Sequence, residues 1–158
     1  MDPDFAFCPT CGQRMRHSII SLDASGPGFT VTISGIQVFG CDTCRTSLKF
    51  LDVGPDAHDI ATAVMNALDK LTPIGLGSPM YAACQCRRCK NEMQIEVDST
   101  RSYFNGNTPL RPGDVTIGVM YHGNSITCPS CGQKHPYLPA TTYQALADAI
   151  NRAATPYL

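Results

Sequence analysis

Eight of the nine cysteines stand in four Cys-x-x-Cys pairs: Cys8/Cys11, Cys41/Cys44, Cys86/Cys89 and Cys128/Cys131. Two intervening residues let the chain make one tight turn and aim both sulfurs at a single ion. A tetrahedral zinc takes four such thiolates at about 2.3 Å, so two turns facing each other complete one site. Four turns therefore predict two structural Zn2+ ions, each closed by four sulfurs. Iron in the same cage is the rival, because four thiolates hold either metal. The ninth cysteine, Cys84, reads as a small buried residue; a spare ligand or redox-sensitive thiol is its other reading.

The turns themselves are partly written in the sequence. "FCPTCGQ" at 7–13 and "TCPSCGQ" at 127–133 are near copies. The residue after the second cysteine of such a knuckle often needs a positive φ, which glycine adopts at no steric cost, and Gly12 and Gly132 stand there. Pro9 and Pro129 fix φ inside the turn. Backbone N–H groups within a knuckle can donate to the sulfurs and damp their charge. Sequential pairing joins Cys8/Cys11 to Cys41/Cys44 and Cys86/Cys89 to Cys128/Cys131. Crossed pairing would join the two look-alikes and intertwine the halves. The sequential version is preferred because each half then repeats one plan.

That plan is knuckle, strands, knuckle, helix. Phe29, Val31 and Ile33 alternate with Thr30, Thr32 and Ser34, a half-buried strand that continues through "IQVFGC". Over 56–71 the period changes, and Ala57, Ile60, Ala61, Val64, Leu68 and Leu71 share a helical face, with Pro55 and Asp56 in its first turn. The second half offers Met93, Ile95 and Val97 as one strand face over 92–98, and Val115, Ile117 and Val119 as another over 114–121. A last helix carries Tyr143, Leu146, Ala147, Ile150 and Ala154, with Thr142 as N-cap and Pro156 as its stop. The Pro- and Gly-rich stretch "TPIGLGSPM" separates the halves. The expected fold is a small zinc-stabilised α+β protein: a zinc ribbon plus helix over 1–71, a linker over 72–82, and a second ribbon plus helix over 83–158. Units of about 70 residues rarely build enough core alone, and a metal is one usual staple. The two alanine-rich helices are able to pack together.

The first half, with its Cys-Pro-x-Cys-Gly knuckle, β segment, second Cys-x-x-Cys and trailing helix over 7–70, resembles the YgiT-type zinc-finger domain of MqsA-like antitoxins. The resemblance implies Cys8, Cys11, Cys41 and Cys44 as zinc ligands and a protein partner. Arg45 stands where that family commonly has glycine. No helix-turn-helix follows, so operator binding is not implied.

The first residues show no basic stretch followed by an apolar run, and nothing approaches the roughly 20 apolar residues of a membrane span. The chain is expected to be cytoplasmic and off the membrane, where disulfides are disfavoured. Cages closed by four cysteines leave no open position for a catalytic water, and His17, His58, His122 and His135 have no ligand spacing among themselves. A non-enzymatic interaction protein, an adaptor or antitoxin-like regulator, is the first expectation, with the strand faces and the 101–113 loop as contact surfaces. The alternative is a nucleic-acid-binding regulator. The formal net charge is −1, with five basic against eight acidic residues over 1–70 and seven against five over 71–158. That balance offers no global basic stripe. Locally, Arg87, Arg88 and Lys90 crowd one knuckle, and Arg101, Tyr103, Phe104 and Arg111 surround an Asn-Gly turn, a mixture suited to phosphate contact and base stacking. The plainer reading has the aromatics capping the core and the cations offsetting a tetrathiolate centre.

Overall fold

The computed structural model describes residues 7–8, 11–41, 49–50, 57–75, 83–109 and 116–155. In chain order these form β1 (Arg16–Gly26), β2 (Phe29–Gly40), β3 (Lys49–Phe50), α1 (Ala57–Asp69), β4 (Ile74–Gly75), β5 (Ala83–Gln85), β6 (Glu92–Gln94), β7 (Ser102–Pro109), β8 (Thr116–Gly123), β9 (Ser125–Thr127), β10 (Lys134–Pro136) and α2 (Ala140–Ala154). The class is α+β, with two helices and antiparallel sheets.

The long hairpin β1–β2 begins the main sheet. Leu22, Ala24, Phe29, Val31 and Ile33 face the core, and the alternation then slips by one residue, to Ile36 and Val38. The slip is a bulge. Leu22 pairs with Ile33 and Ile20 with Ile36, so Ser34 and Gly35 stand opposite Ser21 alone. Gly35 takes φ 84°, a conformation glycine reaches without strain. The bulge bends β2, which pairs with β8 before it (Thr30–Ser34) and with β3 after it (Val38–Phe39).

The main sheet runs β1-β2-β8-β7. Its two central strands come from opposite halves of the chain, so the core does not divide at 72–82 as the tandem arrangement expects. The physical reason is the edge of β2. A strand with Val31 and Ile33 buried has an unpaired edge to cover, and β8 offers Val119 and Tyr121 at the matching register. Both helices lie on one face of this sheet. Ile60, Val64 and Leu68 of α1 share a single core with Leu146, Ile150 and Ala154 of α2 and with the apolar faces of β1, β2, β7 and β8. Each helix thus buries most of the stripe expected of it; Leu71, Tyr143 and Ala147 are only half-buried, and the side chain of Ala57 lies outside what is described.

Several sequence expectations shift. Asn105-Gly106 is no turn but the middle of β7, where Gly106 pairs with Val119. A Cβ there would lie 3.5 Å from Ala67 Cβ and 3.6 Å from its carbonyl oxygen, ordinary contact distances, so α1 packs directly over this position of β7. The strand expected over 92–98 ends at Gln94; Met93 is buried, but Ile95 and Val97 are exposed. Helix α2 starts at Ala140 with Pro139 at its N-cap and no side-chain cap, so the cap lies three residues ahead of the one expected at Thr142. Pro55, Asp56, Val115 and Pro156 lie outside the described residues.

Two small sheets, β4-β5-β6 and β9-β10, pack beside the main core around Cys84, Cys86, Met93, Ile126 and Cys128. Asp98 fastens the segment after β6 to them. Its carboxylate accepts hydrogen bonds from Ser125 Oγ and Thr127 Oγ1, both at 2.7 Å, and lies 3.7 Å from Lys134 Nζ. Burial alone would raise this carboxyl group's pKa, but the two hydroxyls and Lys134 outweigh it and hold the pKa below the ordinary value. A depressed folded pKa means stability that is present above the unfolded pKa and lost as pH falls through the folded one. Asp98→Asn is expected to cost about 1–2 kcal/mol at neutral pH and to flatten the acid limb of the stability profile, read from urea midpoints across pH 2–7.

Candidate metal centres

Three of the four knuckles have both cysteines among the described residues (Pro9 and Thr10 of the first lie outside them), and they share one set of backbone hydrogen bonds. In each, the first cysteine's N–H donates to the carbonyl five residues on: Cys8 to Gln13, Cys86 to Asn91 and Cys128 to Gln133, at 2.7–3.0 Å. The same cysteine's carbonyl accepts from the residue four on, Gly12, Lys90 or Gly132, at 2.8–3.0 Å. Those three residues hold φ of 74°, 66° and 78°. Gly12 and Gly132 therefore do what their position predicts. Lys90 adopts the same left-handed conformation despite its Cβ, at a strain of about 1–2 kcal/mol. Each turn is closed by a β pair: Phe7 with Arg14, Gln85 with Glu92, Thr127 with Lys134. The two look-alike heptads thus resemble each other because each draws the same turn.

The turns meet in sequential pairs, not crossed ones. Cys86, Cys89, Cys128 and Cys131 bring four sulfurs within 4.8 Å of one another, and Cys8, Cys11 and Cys41 bring three. Cys44, the fourth ligand expected of the first centre, lies outside the described residues. Sulfur separations of 3.6 Å for Cys86–Cys131 and Cys89–Cys128, and 3.4 Å for Cys11–Cys41, are far too long for a disulfide. They approach the edge of a tetrahedron with arms of about 2.3 Å, about 3.8 Å. The donor set therefore fits a four-coordinate, thiophilic metal ion.

The electrostatics of the second centre favour thiolate. Cys86 is pulled down to about 5, first by the Cys89 N–H and further by the Arg88 N–H. The N–H groups of Cys131 and Ser130 lower Cys128 in the same way. The Asn91 N–H favours the Cys89 thiolate, but burial and the three neighbouring sulfurs outweigh it and push that thiol up to about 11. Four sulfurs in one small space cannot all ionise without a cation, which is the task of a metal. Burial, then the charges of Cys86 and Cys128, push Cys84 up. It packs beside Met93 and Ile126 and is not one of the four clustered sulfurs.

His135 is the residue that sequence reasoning missed. It is 2% exposed, its Nε2 lies 3.3 Å from Cys86 Sγ, and its Nδ1 lies 3.1 Å from the carbonyl oxygen of Leu71. A carbonyl only accepts, so Nδ1 is the donor there. The signal was faint: His135 follows Cys131 by four residues, on the short strand that closes the knuckle.

The basic and aromatic contact candidates separate. The Arg87 guanidinium donates to the carbonyls of Thr72 and of Asp69, the latter at 2.8 Å, and so caps the C-terminal end of α1. Arg88, Lys90 and Arg101 are exposed. Phe104 is in the core, whereas Tyr103 is 68% exposed and stacks on His122 with ring centroids 4.2 Å apart. Arg111 lies outside the described residues.

Tyr103 and His122 stand on the sheet face opposite the helices. With them, on strands β1, β2, β8 and β7, stand Ile19, Ser21, Asp23, Ser25, Thr30, Thr32, Met120, Asn105 and Asn107. Asp23 is the one carboxylate of that set and accepts a 2.9 Å hydrogen bond from Thr32. No helix among the described residues is long and apolar enough to cross a membrane. No protein-family model matches the chain, nor does any curated protein or solved structure.

Proposed function

We propose that this is a non-enzymatic interaction protein, an adaptor or antitoxin-like regulator, carrying two structural zinc ions, with the helix-free sheet face as its contact surface for a protein partner. The observation that carries this reading is the composition of that face. A sheet face kept only for solvent is ordinarily rich in charged side chains. Among the described residues this one sets Tyr103, Met120 and Ile19 beside Ser, Thr and Asn, with a single carboxylate. Depletion of charge with exposed Tyr and Met is the pattern of contact surfaces. The closed sulfur cage supports a structural role for the metal, since four thiolates leave no position for a reacting water. Zinc is favoured over iron because the centre needs only tetrahedral geometry and no electron.

Nucleic acid is the second reading, and one observation favours it: the exposed Tyr103–His122 stack offers a π surface on which a base could lie. The engagement of Arg87 by α1 and the overall charge weigh against it. One experiment addresses both. The protein, purified natively with its metal content measured, is expected to carry two zincs per chain and a stoichiometric protein that survives nuclease. Tyr103→Ala with Met120→Glu should release that protein while leaving the metal in place. Capture abolished by nuclease or by moderate salt would replace the protein partner with nucleic acid. A coloured, iron-bearing sample would overturn the zinc assignment.

A further inference from the structure

The end of α1 has an unusual set of partners. The last carbonyls of a helix lack intrahelical donors and must find them elsewhere. Here Asp69 and Thr72 are met by Arg87, inside the Cys86–Cys89 knuckle, and Leu71 is met by His135, whose other nitrogen touches Cys86 Sγ. The chain's own turn at this end is brief: the N–H groups of Leu71 and Thr72 both donate to Leu68 O, at 2.9 and 3.1 Å. The carboxylate of Asp69 in turn accepts from the Tyr143 hydroxyl of α2. A single buried ring therefore bridges a sulfur of the second centre and the main-chain terminus of a core helix.

We infer that His135 is a positioning residue of the second metal centre, one that orients Cys86 and couples occupancy of the centre to the order of the C-terminal end of α1. This rests on the reading that Cys86, Cys89, Cys128 and Cys131 hold a metal. The ring is fixed at both ends, so its position relative to Sγ is set by the helix, and the position of the helix end is set by the ring. Outer-shell partners of metal ligands commonly carry 10–100-fold in metal affinity. Arg87 holds two carbonyls but touches no sulfur, so it supplies a control: it should matter to the helix end and not to the metal.

The test uses the full chain with Co2+ in place of the native metal. Cobalt uptake with thiolate charge-transfer absorption checks the metal reading by itself, and its absence would sink that reading rather than the role of His135. Given uptake, His135→Phe is expected to shift the charge-transfer band and to speed chelator-driven release from the second centre on the order of 10–100-fold. It should also speed hydrogen exchange at the Leu71 and Thr72 amides. Arg87→Met should speed that exchange with the band unmoved. A His135→Phe protein with the wild-type band and release rate would overturn the proposal. Should that variant fail to fold, His135→Gln decides. Its amide can approach Sγ but cannot also hold Leu71 O, so unchanged exchange at Leu71 and Thr72 would overturn the coupling.

Discussion

Removing the metal is expected to melt part of this protein and leave the rest folded. The small core beside the second centre consists of Cys84, Cys86, Met93, Ile126 and Cys128, with Cys89, Cys131 and Tyr137 against it. More than half of those residues are cysteines, and four of the sulfurs would crowd one another once no ion sat between them. Binding of a structural zinc is worth on the order of 10–16 kcal/mol in small finger peptides. That exceeds anything so few apolar side chains can supply. The main core is different. Among the described residues it contains no cysteine, and it joins α1, α2 and four strands. Chelation should therefore abolish amide protection over 83–98 and 125–136 while β1, β2, β7, β8 and the body of α1 keep theirs. The knuckle closed by Phe7 and Arg14 should loosen too, and the end of α1 should fray as its Arg87 and His135 partners leave. Hydrogen exchange with mass detection, before and after chelator, reads all of this. Loss of protection in one step along the whole chain would show that the metal holds the main core as well. Unchanged protection over 83–98 would show that the sulfurs need no ion.

The contrast between those two cores explains what could be read from the sequence. Cysteine spacing is local information, and it led directly to the sulfur clusters and to the positive φ at Gly12 and Gly132. Helical stripes are local as well, and Ile60, Val64, Leu68, Leu146 and Ile150 are buried as their spacing implies. Strand pairing is not local. Nothing in "FTVTISG" says that its free edge will meet "TIGVMYH" and not a strand of its own half, because alternation fixes which face is buried but not which neighbour lies alongside. Asn105-Gly106 misled for a related reason. The dipeptide favours a turn by itself, and only the pairing of β7 with β8, Asn105 with Met120 and Gly106 with Val119, holds it extended. His135 was hidden because its two partners, Cys86 and Leu71, are far away in sequence. Met93, Ile95 and Val97 show the converse failure: an alternating pattern with only its first member buried, because the chain leaves β6 to be fastened by Asp98.

The joint between the halves gives the second large effect. Ile33 on β2 stands opposite both Leu22 on β1 and Val119 on β8, and is fully buried. Ile33→Ala removes three carbon atoms from the centre of that seam. The lost transfer energy plus the residual cavity should cost about 2–5 kcal/mol. The more telling measurement is where the loss is felt. If the halves were separate ribbons, a truncation in the first would leave the second at its original stability. With β2 and β8 hydrogen-bonded in one sheet, β7 and α2 depend on the same packing and must share the loss. Exchange of the slowest amides in β1, β2, β7, β8 and α2 should accelerate by a common factor, on the order of 30–5,000-fold, because all of them then exchange through the same global opening. Acceleration confined to β1 and β2, with β7 and α2 untouched, would mean that the two halves fold as independent units despite the shared sheet. A second variant, Val119→Ala, approaches the seam from the other side and should slow nothing in either half while speeding exchange in both, by a smaller factor suited to the smaller side chain.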